Sequence, residues 1–217
     1  MMTVKPILFS APMVRAMLEG RKSMTRRVLK PQPGDLDQVG FSGSGEWYVT
    51  ASDGSHMTEL HVPHAPGDLL YVRETWRTLN RFNSWPIPEK AWVAYEVDEN
   101  KGDARPLPLG RMGRLRPSLH MPRWASRLTL EVTEVRVERV QDITLDDIYD
   151  EGIFTPIDNT KDPAQRAYAD RRAFIDLWNS LNAKRGFGWD ANPWVSVTIF
   201  KVHKQNVDVL LNEQAAA

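Results

Sequence analysis

PGDLLYVRETW, residues Pro66–Trp76, is the stretch whose reading decides the fold. Pro66 and Gly67 read as a turn, and the apolar, β-forming residues after Asp68 read as a central strand. Leu70, Val72 and Glu74 share one face of it; Tyr71, Arg73 and Thr75 share the other. A carboxylate on a mostly apolar face is costly unless paired. Glu74 is therefore either bonded to an arginine or a working group that pairs with Lys22 or receives a proton.

Upstream, Lys5–Phe9 reads as a short strand. Ser10 suits an N-cap, Pro12 a first helical turn, and Gly20 a C-cap after a helix through Met13, Ala16 and Met17. Residues 31–46 are rich in Pro, Gly, Ser and Asp and read as a loop. Downstream, Ala91–Glu96 reads as a strand and Leu128–Val140 as a long one. Its apolar parity changes between Val132 and Val135, which predicts a bulge or bend. Thr144 and Asp147 form a capping box. A longer helix begins at Asp162 and Pro163, with Phe174, Leu177, Trp178 and Leu181 on one face. Pro193–His203 is a final strand. Short strands with peripheral helices predict an α+β fold with a barrel-like sheet. The expected organisation is one domain over residues 1–210, with insertions at about 31–65 and 77–118 and a disordered tail at 211–217.

The 217 residues carry 28 basic and 28 acidic side chains, so global charge argues for neither nucleic acid nor membrane. There is no cysteine, which rules out disulfides, thiolate metal sites and a thiol nucleophile and fits a reducing compartment. No apolar run reaches the length of a membrane span, and Met1–Ser10 lacks a signal-peptide pattern. The expectation is a cytoplasmic protein with no membrane partner.

GRKSMTRR, Gly20–Arg27, lies in a run with five basic residues among the ten from Arg21 to Lys30 and no acid. Arg21, Arg26 and Arg27 suit an anion such as phosphate, or simply a solvated turn. Lys22 stands three residues before Thr25, so its amine could reach the hydroxyl. Desolvated and crowded by arginines, that lysine would become a base. Arg105–Arg127 holds six arginines and His120 without one acid. Arg116 and Arg123, with Trp124 among them for base stacking, join Arg73 as candidate nucleic-acid contacts. Trp124 also suits a core position. His61 and His64 form only half of a zinc pattern, and Ser118 and His120 lack an orienting acid. No metal or cofactor is called for.

The chain resembles the ASCH family at these residues. The pattern G-x-K-x-x-[ST]-x-R stands as Gly20, Lys22, Thr25 and Arg27; a strand pattern stands as Gly67, Asp68, Leu70, Val72, Arg73 and Glu74. The phrases RPSLHMPRWASRLTLEV, DEGI, FIDLWNSLN and GWDANPWV resemble the phage and prophage branch. The resemblance implies a PUA-like β-barrel with flanking helices, and a nucleoside, nucleotide or RNA as partner. It implies an amidohydrolase that removes an acyl group from a modified base such as acetylcytidine, with Lys22, Thr25 and Glu74 catalytic. Other members are associated with RNA binding or RNA cleavage. The open alternatives are a non-catalytic nucleic-acid reader and a phage morphogenesis or host-interaction protein.

Overall fold

The structure is a computed structural model that describes residues 3–33, 38–42, 46–54, 56–84, 87–89, 91–99, 111–155 and 162–216. In chain order its elements are β1 (Val4–Leu8), α1 (Ala11–Leu18), β2 (Met24–Val28), β3 (Gln38–Phe41), β4 (Trp47–Thr50), β5 (Met57–Leu60), β6 (Leu69–Arg73), β7 (Trp76–Arg77), β8 (Ala94–Tyr95), α2 (Glu96–Glu99), β9 (Thr129–Arg139), α3 (Leu145–Asp150), α4 (Pro163–Asn182), β10 (Trp194–His203) and α5 (Val207–Ala216). The expected α+β class holds. Among the described residues no helix is long and apolar enough to cross a membrane.

The chain falls into two compact units. Unit 1 comprises Met1–Gly20, Gly67–Val132 and Lys201–Ala217; unit 2 comprises Arg21–Pro66 and Thr133–Phe200. The chain passes from one to the other after Gly20, after Pro66, inside β9 and inside β10, so neither unit is a contiguous segment.

In unit 1 the strand order is β1-β6-β9. β1 lies parallel to β6, from Val4 opposite Leu69 to Leu8 opposite Arg73. Pro6 has no N–H to give, which suits β1 to an edge. The buried Asp68 carboxylate ties β1 down: it accepts from Thr3 N at 3.0 Å, Thr3 Oγ1 at 2.6 Å and Lys5 Nζ at 3.0 Å. Leu69, Tyr71, Val207 and Leu210 form one small core. Leu210 and Val207 thereby hold α5 in place, and Asn206 Oδ1 accepts from the Asp208 N–H at its start. Residues 211–216, expected as a frayed tail, belong to this helix because its apolar side has a core to pack on; Ala217 lies outside the described residues. A second core joins Trp76, Ile87, Tyr95, Met121 and Ala125. The strand expected at Ala91–Glu96 shrinks to β8, and Glu96 opens α2.

In unit 2 the order is β9-β10-β2, with β2 antiparallel to β10. None of the sheets is closed into a barrel among the described residues. The Thr144–Asp147 capping box is present and starts α3. On α4 the buried positions are Asp170, Phe174, Trp178 and Asn182, four apart. Leu181, expected on that face, is exposed because Asn182 takes the inward position and donates to the Trp178 carbonyl at 3.2 Å. Phe174 and Trp178 pack with Met24, Ile148 and Val197. The parity change in β9 is seen as two successive exposed residues, Thr133 and Glu134.

Part of the stretch read as a loop is folded. β3, β4 and β5 make a three-stranded meander over a core that includes Val49 and Leu60. Gly40 hid β3 from the sequence, and the glycine has a packing reason: any Cβ there would lie 2.2 Å from the Tyr48 ring. Residues 34–37 and 43–45 of that loop reading, and Trp85, Pro86 and Arg105, lie outside the described residues.

Candidate functional site

Gly20 leaves α1 with a φ of 74°, a left-handed conformation that glycine adopts without strain, and hands the chain to Arg21 and Lys22. Lys22 makes an isolated backbone bridge to Glu151, just past α3, and is 2% exposed. Its Nζ donates to Glu151 Oε2 at 2.7 Å, to the Glu151 carbonyl at 2.9 Å and to the Met24 carbonyl at 2.7 Å. Three acceptors match the three N–H bonds of an ammonium. Burial lowers the Lys22 pKa; Glu151 opposes that, and Arg27 and Arg26 add to it.

Arg26 is drawn into the same network. Its Nη2 reaches Asp147 at 2.8 Å and Glu138 at 2.9 Å, and its Nη1 reaches Glu151 Oε1 at 3.4 Å. Arg136 adds a bond to Asp147 at 3.0 Å. Lys22, Arg26 and Arg136 thus meet Glu138, Asp147 and Glu151, three cations against three carboxylates. Burial alone would raise the Asp147 carboxyl. The Thr144 N–H and the guanidiniums of Arg136 and Arg26 outweigh it and hold the group below its usual range.

Thr25 is buried on β2 and sits in register opposite Thr198 of β10. Strand alternation turns it to the face opposite Met24 and Arg26. The Thr198 hydroxyl lies 3.1 Å from His64 Nδ1. Arg27 is exposed on β2.

Glu74 belongs to unit 1, whereas Lys22 and Thr25 belong to unit 2. Glu74 is 1% exposed and is gripped by a guanidinium fork: Arg127 Nε to Oε1 at 2.9 Å and Nη2 to Oε2 at 3.0 Å. Arg127 also reaches Asp98 at 2.8 Å and stacks 3.9 Å over the Tyr95 ring. Burial raises the Glu74 pKa and Arg127 only partly offsets it. Of the two partners expected for Glu74, an arginine is therefore in place. Lys22 has its own carboxylate, Glu151.

The other arginines divide by setting. Arg123 pairs with Asp208 at the surface. Arg73 donates to the Leu119 carbonyl at 3.2 Å and to the Tyr71 hydroxyl at 3.3 Å. Trp124 meets Trp76 edge-on at 6.3 Å between centroids. Arg116 is 5% exposed, its guanidinium 5.2 Å from the Trp76 ring centroid. Arg21 is exposed and donates from Nη1 to the Gly152 carbonyl at 3.0 Å.

Arg21 lines a cavity of about 360 Å³ in unit 2, together with Tyr149, Asp150, Gly152, Ile153 and Phe154. The Tyr149 and Phe154 rings lie 6.3 Å apart at 50°, and Phe154 is 55% exposed. Arg166 stacks over Phe154 at 4.3 Å. Asp150 is fixed by the Ser23 hydroxyl at 2.8 Å. The fully buried Asp170 of α4 accepts from the Tyr149 hydroxyl at 3.1 Å and from the Thr155 N–H at 2.8 Å, bracketing the turn that presents Phe154. The DEGIF stretch supplying these residues follows a helix end with a left-handed glycine, Gly152, and an aromatic. That local signal marks a loop, but not its approach to Arg21, 131 residues away.

Comparison with family models, with curated proteins and with solved structures finds no match.

Proposed function

We propose that the chain is a nucleotide-directed binding protein that takes a base into the cavity of unit 2. The cavity itself carries the reading. Its volume of about 360 Å³ falls at the lower end of small-ligand sites, the right size for one nucleoside. Two aromatic rings and Ile153 offer an apolar, stackable wall. Asp150 can accept from an exocyclic amine or a ribose hydroxyl, and Arg21 can meet a phosphate. Kinship to the ASCH and PUA-like proteins is part of this reading. Its support is the pattern of Gly20, Lys22, Thr25 and Arg27 and the Gly67–Glu74 strand, not barrel closure. Titration with the four ribonucleoside monophosphates and a short single-stranded RNA tests it. Binding should be saturable and should weaken at least tenfold in Phe154→Ala and in Arg21→Ala. Absence of binding, or binding indifferent to both changes, would overturn it.

Amide hydrolysis on an acylated base is the second reading, favoured by one observation: a buried amine with lowered proton affinity, on the residue that follows cavity-lining Arg21. In that reading Lys22 removes the proton from Thr25 or from water and returns it to the leaving amine. It ranks second because three acceptors already engage the Lys22 amine and none of them is the Thr25 hydroxyl. Incubation with acylated cytidines followed by mass spectrometry decides it. Deacylation lost in Lys22→Ala would promote the hydrolase, and no product from any acylated nucleoside would remove it.

A further inference from the structure

Trp76 and Arg116 of unit 1 oppose each other in an isolated antiparallel bridge, closed by N–H···O bonds of 3.2 and 2.7 Å. Residues so paired direct their side chains to one face, and the guanidinium lies against the indole. Trp76 is fully buried and Arg116 nearly so. The indole Nε1 and Arg116 Nη1 are both sealed from solvent without a hydrogen-bond partner among the described residues. Arg116 Nη2 donates to the Phe82 carbonyl at 2.5 Å, and no carboxylate among the described residues pairs with this guanidinium.

Buried donors are almost always met, and each unmet one in a native fold requires a reason. Among the described residues the neighbourhood offers none. Ile87, Met121 and Ala125 are apolar, the Tyr95 hydroxyl donates to the Ala125 carbonyl, and Arg127 engages the Glu74 and Asp98 carboxylates. Arg114 adds further positive charge, and burial followed by Arg114 lowers the Arg116 pKa. A neutral acceptor would satisfy the hydrogen bonds and leave the cation uncompensated. Only an anion with more than one oxygen meets both N–H groups and the charge.

We propose that Trp76 Nε1 and Arg116 Nη1 together form a seat for an oxyanion of the phosphate class. The seat is separate from the cavity of unit 2 and does not depend on it. Admitting the ion requires the Arg116 side chain to shift, with its bond to the Phe82 carbonyl yielding.

The indole N–H is its own reporter. The full chain, labelled with ¹⁵N-tryptophan, has eight indoles, and Trp76→Phe assigns the one at the seat. Titrations use inorganic phosphate and, separately, a single-stranded oligonucleotide. The Trp76 signal should move saturably, and Arg116→Gln should weaken that response at least tenfold, with Arg116→Lys in between. A response to phosphate identifies the free ion as sufficient; a response to the oligonucleotide alone identifies a phosphodiester. A signal silent to both, one unchanged by Arg116→Gln, or one showing only exchange with an internal water overturns the proposal. If Trp76→Phe fails to fold, backbone assignment of the wild type identifies the same signal. Phe154→Ala should leave this response intact, so failure here and failure of the base-binding reading are separable.

Discussion

At Glu151 two cations, Lys22 and Arg26, share one buried carboxylate. Burying an ammonium is tolerated only while its counter-charge stays. Glu151→Ala should therefore cost about 3 kcal/mol in urea denaturation. The pair Lys22→Met and Glu151→Leu should recover much of that loss, because it removes charge and partner together. A double variant as unstable as the single would show that the network is not acting through charge compensation. Asp147 allows a second test. Its folded pKa lies below the ordinary value of 3.8, so the stability it contributes is complete above that value and is lost as pH falls through the folded pKa. Asp147→Asn should thus lie furthest below wild type near neutrality and converge with it in acid. A constant gap between their urea midpoints across the acid range would refute this. The sequence made Lys22 and Thr25 visible because they are three residues apart. It could not supply Glu151, 129 residues from Lys22, which is what decides where the amine points.

The segment from α3 to Thr155 depends on one residue of another element. Asp170 holds Tyr149 on one side and the Thr155 N–H on the other, and the chain between them carries Gly152, Ile153 and Phe154 into the cavity wall. Asp170→Ala should loosen that wall, raising the Kd for nucleoside monophosphates at least fivefold and speeding hydrogen exchange at the Thr155 amide. Exchange that quickens while affinity stays fixed would separate the turn from binding. The α4 stripe explains why this residue went unread. The 3.6-residue period exposes Phe174 and Trp178 as an inward face, but polar Asp170 and Asn182 at its ends look like solvent positions until their partners are seen. Strand β9 is the opposite case. Alternation is local, so its change of parity was legible from residues 128 to 140 alone. It falls where the chain leaves unit 1 at Val132 and enters unit 2 at Thr133.

Across the whole molecule, the interleaved units bind distant ends of the chain into one folding problem. Composition gave no boundary between them: two of the four transitions, at Val132–Thr133 and Phe200–Lys201, lie within strands, and the other two, at Gly20–Arg21 and Pro66–Gly67, lie in turns. The first eight residues test how far this dependence goes. β1 is the parallel partner of β6, and such a pairing joins segments that no short turn connects. Removing residues 1–8 takes away the partners of Leu69–Arg73 and all three donors to the buried Asp68 carboxylate from Thr3 and Lys5. It leaves a bare strand edge and strips three donors from a buried charge together. The truncated chain should melt more than about 10 °C lower, equivalent to several kcal/mol for a chain of this size. Asp68→Ala should reproduce only part of the loss, because β1 can still pair through its backbone. A synthetic peptide of residues 1–20, added in trans, should restore some of the lost midpoint by refilling that edge. If the truncated chain melts where the full one does, β1 is an accessory strand, and the core of unit 1 stands on β6, β9 and α5 alone.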